Sequence, residues 1–126
     1  MKSPWLRWLL ALFFITAGIL HFIFPDQYAR TMPSWIPWHD ALVSISGLCE
    51  IAGGIGVLLA RTRCVAGIGL ILLSLAVLPA NVQMLIDAQH AEKAAWLITL
   101  LWLRLPLQAL LIIWIWRTTR TTRPTA

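Results

Sequence analysis

Glu50 and Arg104 each lie about half way along an apolar stretch of sequence, where an ionised side chain is costly. Arginine cannot escape by losing its proton, and its planar fork can grip a carboxylate through two parallel hydrogen bonds. At about 1.5 Å per helical residue, each lies about 15 Å from the end of its stretch, so the two share one depth. The expectation is a buried Glu50–Arg104 ion pair. Three further polar side chains fall in the same part of the pattern. His21 comes near the end of the first stretch, and Asn81 and Gln83 lie in the last third of the third. Gln108 follows Arg104 by four residues, so it shares a helical face with it. His21, Glu50, Asn81, Gln83 and Arg104 are five polar groups, more than a helix register needs. They describe a ligand pocket open to the outer side, with Glu50 and Arg104 as its floor, His21, Asn81 and Gln83 as its walls and the 25–40 loop as its lid.

Four helices must carry these groups. The chain has 126 residues, 60% of them hydrophobic, with mean hydropathy +0.79. Its apolar runs cover residues 5–24, 41–60, 64–86 and 94–116. A helix of about 20 residues spans a hydrocarbon core of roughly 30 Å. Continuous apolarity without strand alternation argues against a barrel. The fold class expected is all-α: a single transmembrane domain over residues 1–126, built as an integral membrane four-helix bundle, with a frayed tail at 117–126. The first run is longer than a signal-peptide core and lacks a small-residue cleavage site, so it is expected to stay as a span.

The net charge of +5 describes topology, not a nucleic-acid partner. Lys2, Arg7, Arg61, Arg63, Arg117, Arg120 and Arg123 fall on one side of the bundle, and only Arg30 and Lys93 on the other. The positive-inside rule puts both termini in the cytoplasm of a cell (inner) membrane protein. The segment "PDQYARTMPSWIPWHD", residues 25–40, is then a structured outer loop. Its three prolines forbid one long helix, and Tyr28, Trp35 and Trp38 suit the headgroup level. "DAQHAEK" is expected as a polar second outer loop, and "RTR" as a tight cytoplasmic turn.

Small residues set helix contacts. Ser46, Gly47, Gly53 and Gly54 flank Glu50, and Gly67, Ser74 and Asn81 repeat every seven residues. Pro79 frees the carbonyl of Leu75, and Pro106 that of Trp102. Of the tryptophans, Trp102 is the one placed to line a pocket. No metal-ligand spacing, haem motif, phosphate loop, dinucleotide fingerprint or catalytic triad is present. Cys49 and Cys64 differ too much in depth to form a disulfide.

"GILHFIFPDQYARTMPSWIP", "SGLCEIAGGIGVLL", "LPANVQM" and "RLPLQALLIIW" occur in that order over residues 17–114, and together they resemble the DoxX family of small four-helix membrane proteins. The positions that match the family's polar pattern are His21, Pro25, Glu50, Pro79, Asn81, Arg104 and Gln108. The resemblance implies a membrane-embedded, quinone-linked role and fixes no reaction. Two functions follow. The first is a pocket for a small hydrophobic molecule, quinone- or lipid-like, with a quinone as the candidate cofactor. The second is a non-enzymatic accessory or chaperone-like subunit that docks a membrane protein partner or a second copy, its buried polar groups serving structure alone. A proton-shuttling isomerase based on Glu50 ranks below both, because pairing with Arg104 would hold the carboxylate ionised.

Overall fold

The computed structural model describes residues 4–120. Its regular secondary structure is all helical, and four of its five helices are long and apolar enough to cross a membrane: α1 (Pro4–Ile23), α3 (His39–Leu58), α4 (Arg63–His90) and α5 (Ala95–Thr119). The short α2 (Pro25–Thr31) lies between the first two.

Prolines punctuate the chain. Pro4 and Pro25 each open a helix at a position where a missing N–H costs nothing. The residue before a proline avoids helical dihedrals. Phe24, before Pro25, and Met32, before Pro33, accordingly leave the helical region and terminate α1 and α2. Pro33 and Pro37 keep the next stretch irregular, and a hydrogen bond from the His39 ring to the Pro33 carbonyl, 3.1 Å, ties it to the start of α3. At the other end of α3, Thr62 Oγ1 donates to Gly56 O at 2.8 Å. The Arg63 guanidinium donates to the carbonyls of Val57 and Leu58. The last carbonyls of α3 are thereby satisfied by the turn that follows them.

The helices pack in the order α1, α3, α4, α5, with α1 and α5 touching only sparingly. Glycines explain the close pairs. A Cβ built on Gly18 of α1 would lie 2.6 Å from the Gly47 carbonyl oxygen of α3, and one on Gly54 would lie 3.0 Å from Ala11 O. Backbone meets backbone there, as small residues permit in lipid. Gly53 faces Leu70 of α4, so the small residues around Glu50 serve two neighbours and not one face. Leu10, Phe14, Val57, Leu70 and Ile115 form one buried core near the chain termini, and Leu85, Ala88 and Leu101 form a second at the opposite end of α4 and α5.

Two boundaries differ from the sequence expectation. The apolar run of α4 ends at Ile86, but the helix continues to His90, so most of the expected second loop is helical. Residues 117–119, expected as frayed tail, belong to α5, with Thr118 and Thr119 buried. Thr119 sits against Gly67, and its hydroxyl donates to Ile115 O at 2.7 Å, which lets a polar residue pack inside. The rest of the expected tail beyond Arg120 lies outside the described residues.

Candidate functional site

The sparse contact between α1 and α5 leaves a cavity of about 670 Å³ in the seam between them, backed by α3 and α4. His21 comes from α1, Glu50 from α3, Asn81 from α4, and Arg104 and Gln108 from α5. Five of the six expected site residues therefore converge. The sixth does not. Gln83 is two residues beyond Asn81, which turns it about 200° round the helix. Its amide donates to Asp87 Oδ1 at 2.8 Å, away from the cavity.

The expected Glu50–Arg104 ion pair is not formed. Glu50 Oε2 lies 3.2 Å from His21 Nδ1 instead, a contact that becomes an ion pair when His21 is protonated. His21 Nδ1 is also 2.8 Å from the Ala17 carbonyl, which can accept only if that nitrogen carries the proton. The proton is directed to Ala17, so Glu50 receives proximity to the ring without a hydrogen bond, and its Oε2 is buried without a donor. Arg104 lies on another wall of the cavity, where Nη1 reaches Met84 Sδ at 3.5 Å. Equal depth was legible in the sequence, but the rotation of the two helices about their axes was not.

A second arm of the site holds α4 to α5. Asn81 Nδ2 donates to Gln108 Oε1 at 2.7 Å, and Gln108 Nε2 donates to the Ser74 carbonyl. Both helices bend their polar stripe into one network, and Gln108 is buried by it.

Tyr28 of α2 covers the polar end. Its ring stacks on His21 with centroids 3.9 Å apart and planes at 16°. The prolines on either side of α2 keep it short, and Tyr28 lies on the cavity wall. A smaller chamber of about 310 Å³ adjoins below α2 and shares His21, Tyr28, Glu50, Asn81 and Arg104 with the first. Burial raises the Tyr28 phenol above its ordinary 10.0, the Glu50 charge adds to the rise, and the Arg104 charge opposes it. A raised phenol contributes stability that is complete below pH about 10 and is lost as pH climbs through the folded value. Tyr28 is the chain's one tyrosine, so tyrosinate absorbance reports on it directly. Glu50→Gln is expected to lower its titration midpoint and Arg104→Met to raise it. A midpoint indifferent to both changes would place Tyr28 outside the cavity.

Away from the polar end the lining becomes apolar, with Phe13, Phe14, Leu107, Leu110, Leu111 and Trp114. Trp102, the tryptophan expected there, points outward instead. Trp114 was missed because its run, "LLIIWIW", is apolar on every face and gives no periodicity to follow. Among the described residues no three His, Cys, Asp or Glu side chains converge.

Fold and site thus define a multi-pass helical membrane protein with a cavity that is polar at one end and apolar at the other. A family model described as "Domain of unknown function (DUF8561)" matches residues 10–119, and the chain belongs to that family. No curated protein and no solved structure matches.

Proposed function

We propose that the protein is a DoxX-like inner-membrane protein whose intramembrane pocket binds a small amphiphile, quinone- or lipid-like, in a redox-linked role. The observation that carries the proposal is the polarity of the cavity along its length. His21, Glu50, Asn81 and Arg104 line one end, and six aromatic or aliphatic side chains line the other. Its volume of about 670 Å³ falls within the range of small-molecule sites. An oxygenated head suits the first end and a hydrocarbon chain the second. Arg104, with only a thioether as partner, is the donor free to take a carbonyl or anionic oxygen. The seam between α1 and α5 supplies a route from the bilayer. The redox link rests on the resemblance in the motifs around His21, Glu50, Asn81 and Arg104.

The excess of arginine and lysine near the chain termini and the α3–α4 turn orients the bundle. Both termini lie in the cytoplasm, and α2 with the segment after it lies over the outer end. The polar end of the cavity then faces outward.

The test is thermal unfolding in detergent with a panel of quinones and lipids. A ligand at 100 times its dissociation constant is expected to add about 2.7 kcal/mol to the wild type. Arg104→Met is expected to weaken that ligand about tenfold to a hundredfold, the worth of a hydrogen bond to a charged group. If no quinone or lipid shifts the wild type, the accessory-subunit role replaces this one.

A further inference from the structure

We propose that the chamber under α2 is the second half of the binding site, so that the ligand carries its polar group in the middle and an apolar arm on either side. The proposal rests on the amphiphile-binding role and narrows the class of ligand. The cavity of about 670 Å³ in the α1–α5 seam and the chamber of about 310 Å³ under α2 have His21, Tyr28, Glu50, Asn81 and Arg104 in common. These five groups, with Leu73 and Val77 beside them, form a partition that presents polar atoms to both spaces. Beyond it each space turns apolar. The seam side continues along Phe13, Phe14, Leu111 and Trp114, and its buried Gln108 is already engaged with Asn81 and the Ser74 carbonyl. The other side continues along Met32, Ile36, Leu42 and Val43, with Ser46 as its polar exception.

The two spaces leave the partition along different helices. On α5 the seam cavity runs from Arg104 to Trp114, about 15 Å along the axis. Among the described residues the chamber under α2 meets α5 at Arg104 alone. On α3 the order reverses. The chamber runs from Glu50 to Leu42, about 12 Å, and the seam cavity meets α3 at Glu50 alone. A ligand with its polar group at one end fills one of these spaces and leaves the other empty. Atoms that line an empty apolar space forgo contacts on that side, and apolar cavities take up apolar guests. A carbonyl, ester or hydroxyl oxygen flanked by two hydrocarbon arms fills both spaces while the oxygen meets Arg104. The ligand class is an amphiphile with a central head.

Two isomeric ketones test this on the wild-type full chain in detergent: diheptyl ketone, with a central carbonyl, and methyl tridecyl ketone, with a terminal one. They share one formula, so the apolar surface they bring is alike and the difference reads which space is filled. Thermal shift measures binding. Diheptyl ketone is expected to bind about tenfold more tightly. Carbon-13 labelling of the methionine methyls locates the arms. Met84, whose sulfur lies 3.5 Å from Arg104 Nη1, reports the head, and Met32 reports the chamber under α2. Each signal is identified by its loss in Met84→Leu or Met32→Leu. Both ketones are expected to move the Met84 signal, and diheptyl ketone alone the Met32 signal. Should either variant fail to fold, the affinity ratio in the wild type decides alone. Equal affinity, a preference for methyl tridecyl ketone, or a Met32 signal that diheptyl ketone leaves in place overturns the two-armed site. If neither ketone binds while a quinone or lipid of the panel does, the two-armed site falls and the amphiphile pocket stands. If nothing binds, both fall.

Discussion

His21→Leu will cost the fold about 1–3 kcal/mol, the penalty for leaving a buried polar group facing an apolar side chain. The residue left behind is Glu50, whose buried Oε2 has no donor and lies 3.2 Å from the His21 ring. Glu50→Gln will cost less, because the amide carries no charge to strand. The decisive quantity is the double mutant. His21→Leu with Glu50→Gln is expected to lose about 1–3 kcal/mol less than the sum of the two singles, as contacting residues do. Glu50→Gln with Arg104→Met is expected to add to within about 0.5 kcal/mol, as residues without direct contact do. Denaturant titration of the purified protein in detergent measures all five variants. Coupling between Glu50 and Arg104, with none between Glu50 and His21, would reinstate the pairing that depth alone implied.

Gln108→Leu will cost about 2–4 kcal/mol, although leucine suits the buried position well. Intramembrane hydrogen bonds average only about 0.6 kcal/mol each, so the two bonds of Gln108 account for about 1. The larger part comes from the Asn81 amide, which would keep a donor facing an apolar side chain at about 1–3 kcal/mol. Adding Asn81→Leu should therefore restore at least half of the loss. The same titration reads it. A Gln108→Leu variant as stable as wild type would mean that α4 and α5 are held by Gly67–Thr119 contact and the Leu85–Leu101 core alone.

Depth was legible in the sequence because it depends on one coordinate, the count of residues along a straight apolar helix. That count brought His21, Glu50, Asn81, Arg104 and Gln108 to one cavity. Azimuth was not legible to the same degree. The sequence of α4 gave a usable stripe, since Gly67, Ser74 and Asn81 recur at seven residues, and all three face α5. Gln83 shows what happens off the stripe, where depth is right and direction is wrong. For α3 the small residues point to two partners, so they could not say which wall Glu50 would face. The stacking of Tyr28 on His21 left no signal in the sequence, because the prolines of the 25–40 segment announce a break in the helix and not the direction in which the chain then turns. The polar ends of α4 and α5 were cut short because hydropathy marks where lipid ends, and helices continue past it.

On the proposed function, a cavity set in a seam between the first and last spans takes its ligands from hydrocarbon, not from water. Anything that binds there displaces an acyl chain. The transfer of a tail from bilayer to protein is close to neutral, since lipid is as apolar as leucine. Occupancy is then governed by the mole fraction of ligand in the membrane, and a high aqueous partition coefficient raises every lipid's chance alike. Discrimination falls to the few polar atoms that line the cavity. A detergent with long chains is a competitor at this site, so apparent affinities will depend on the micelle in which they are measured.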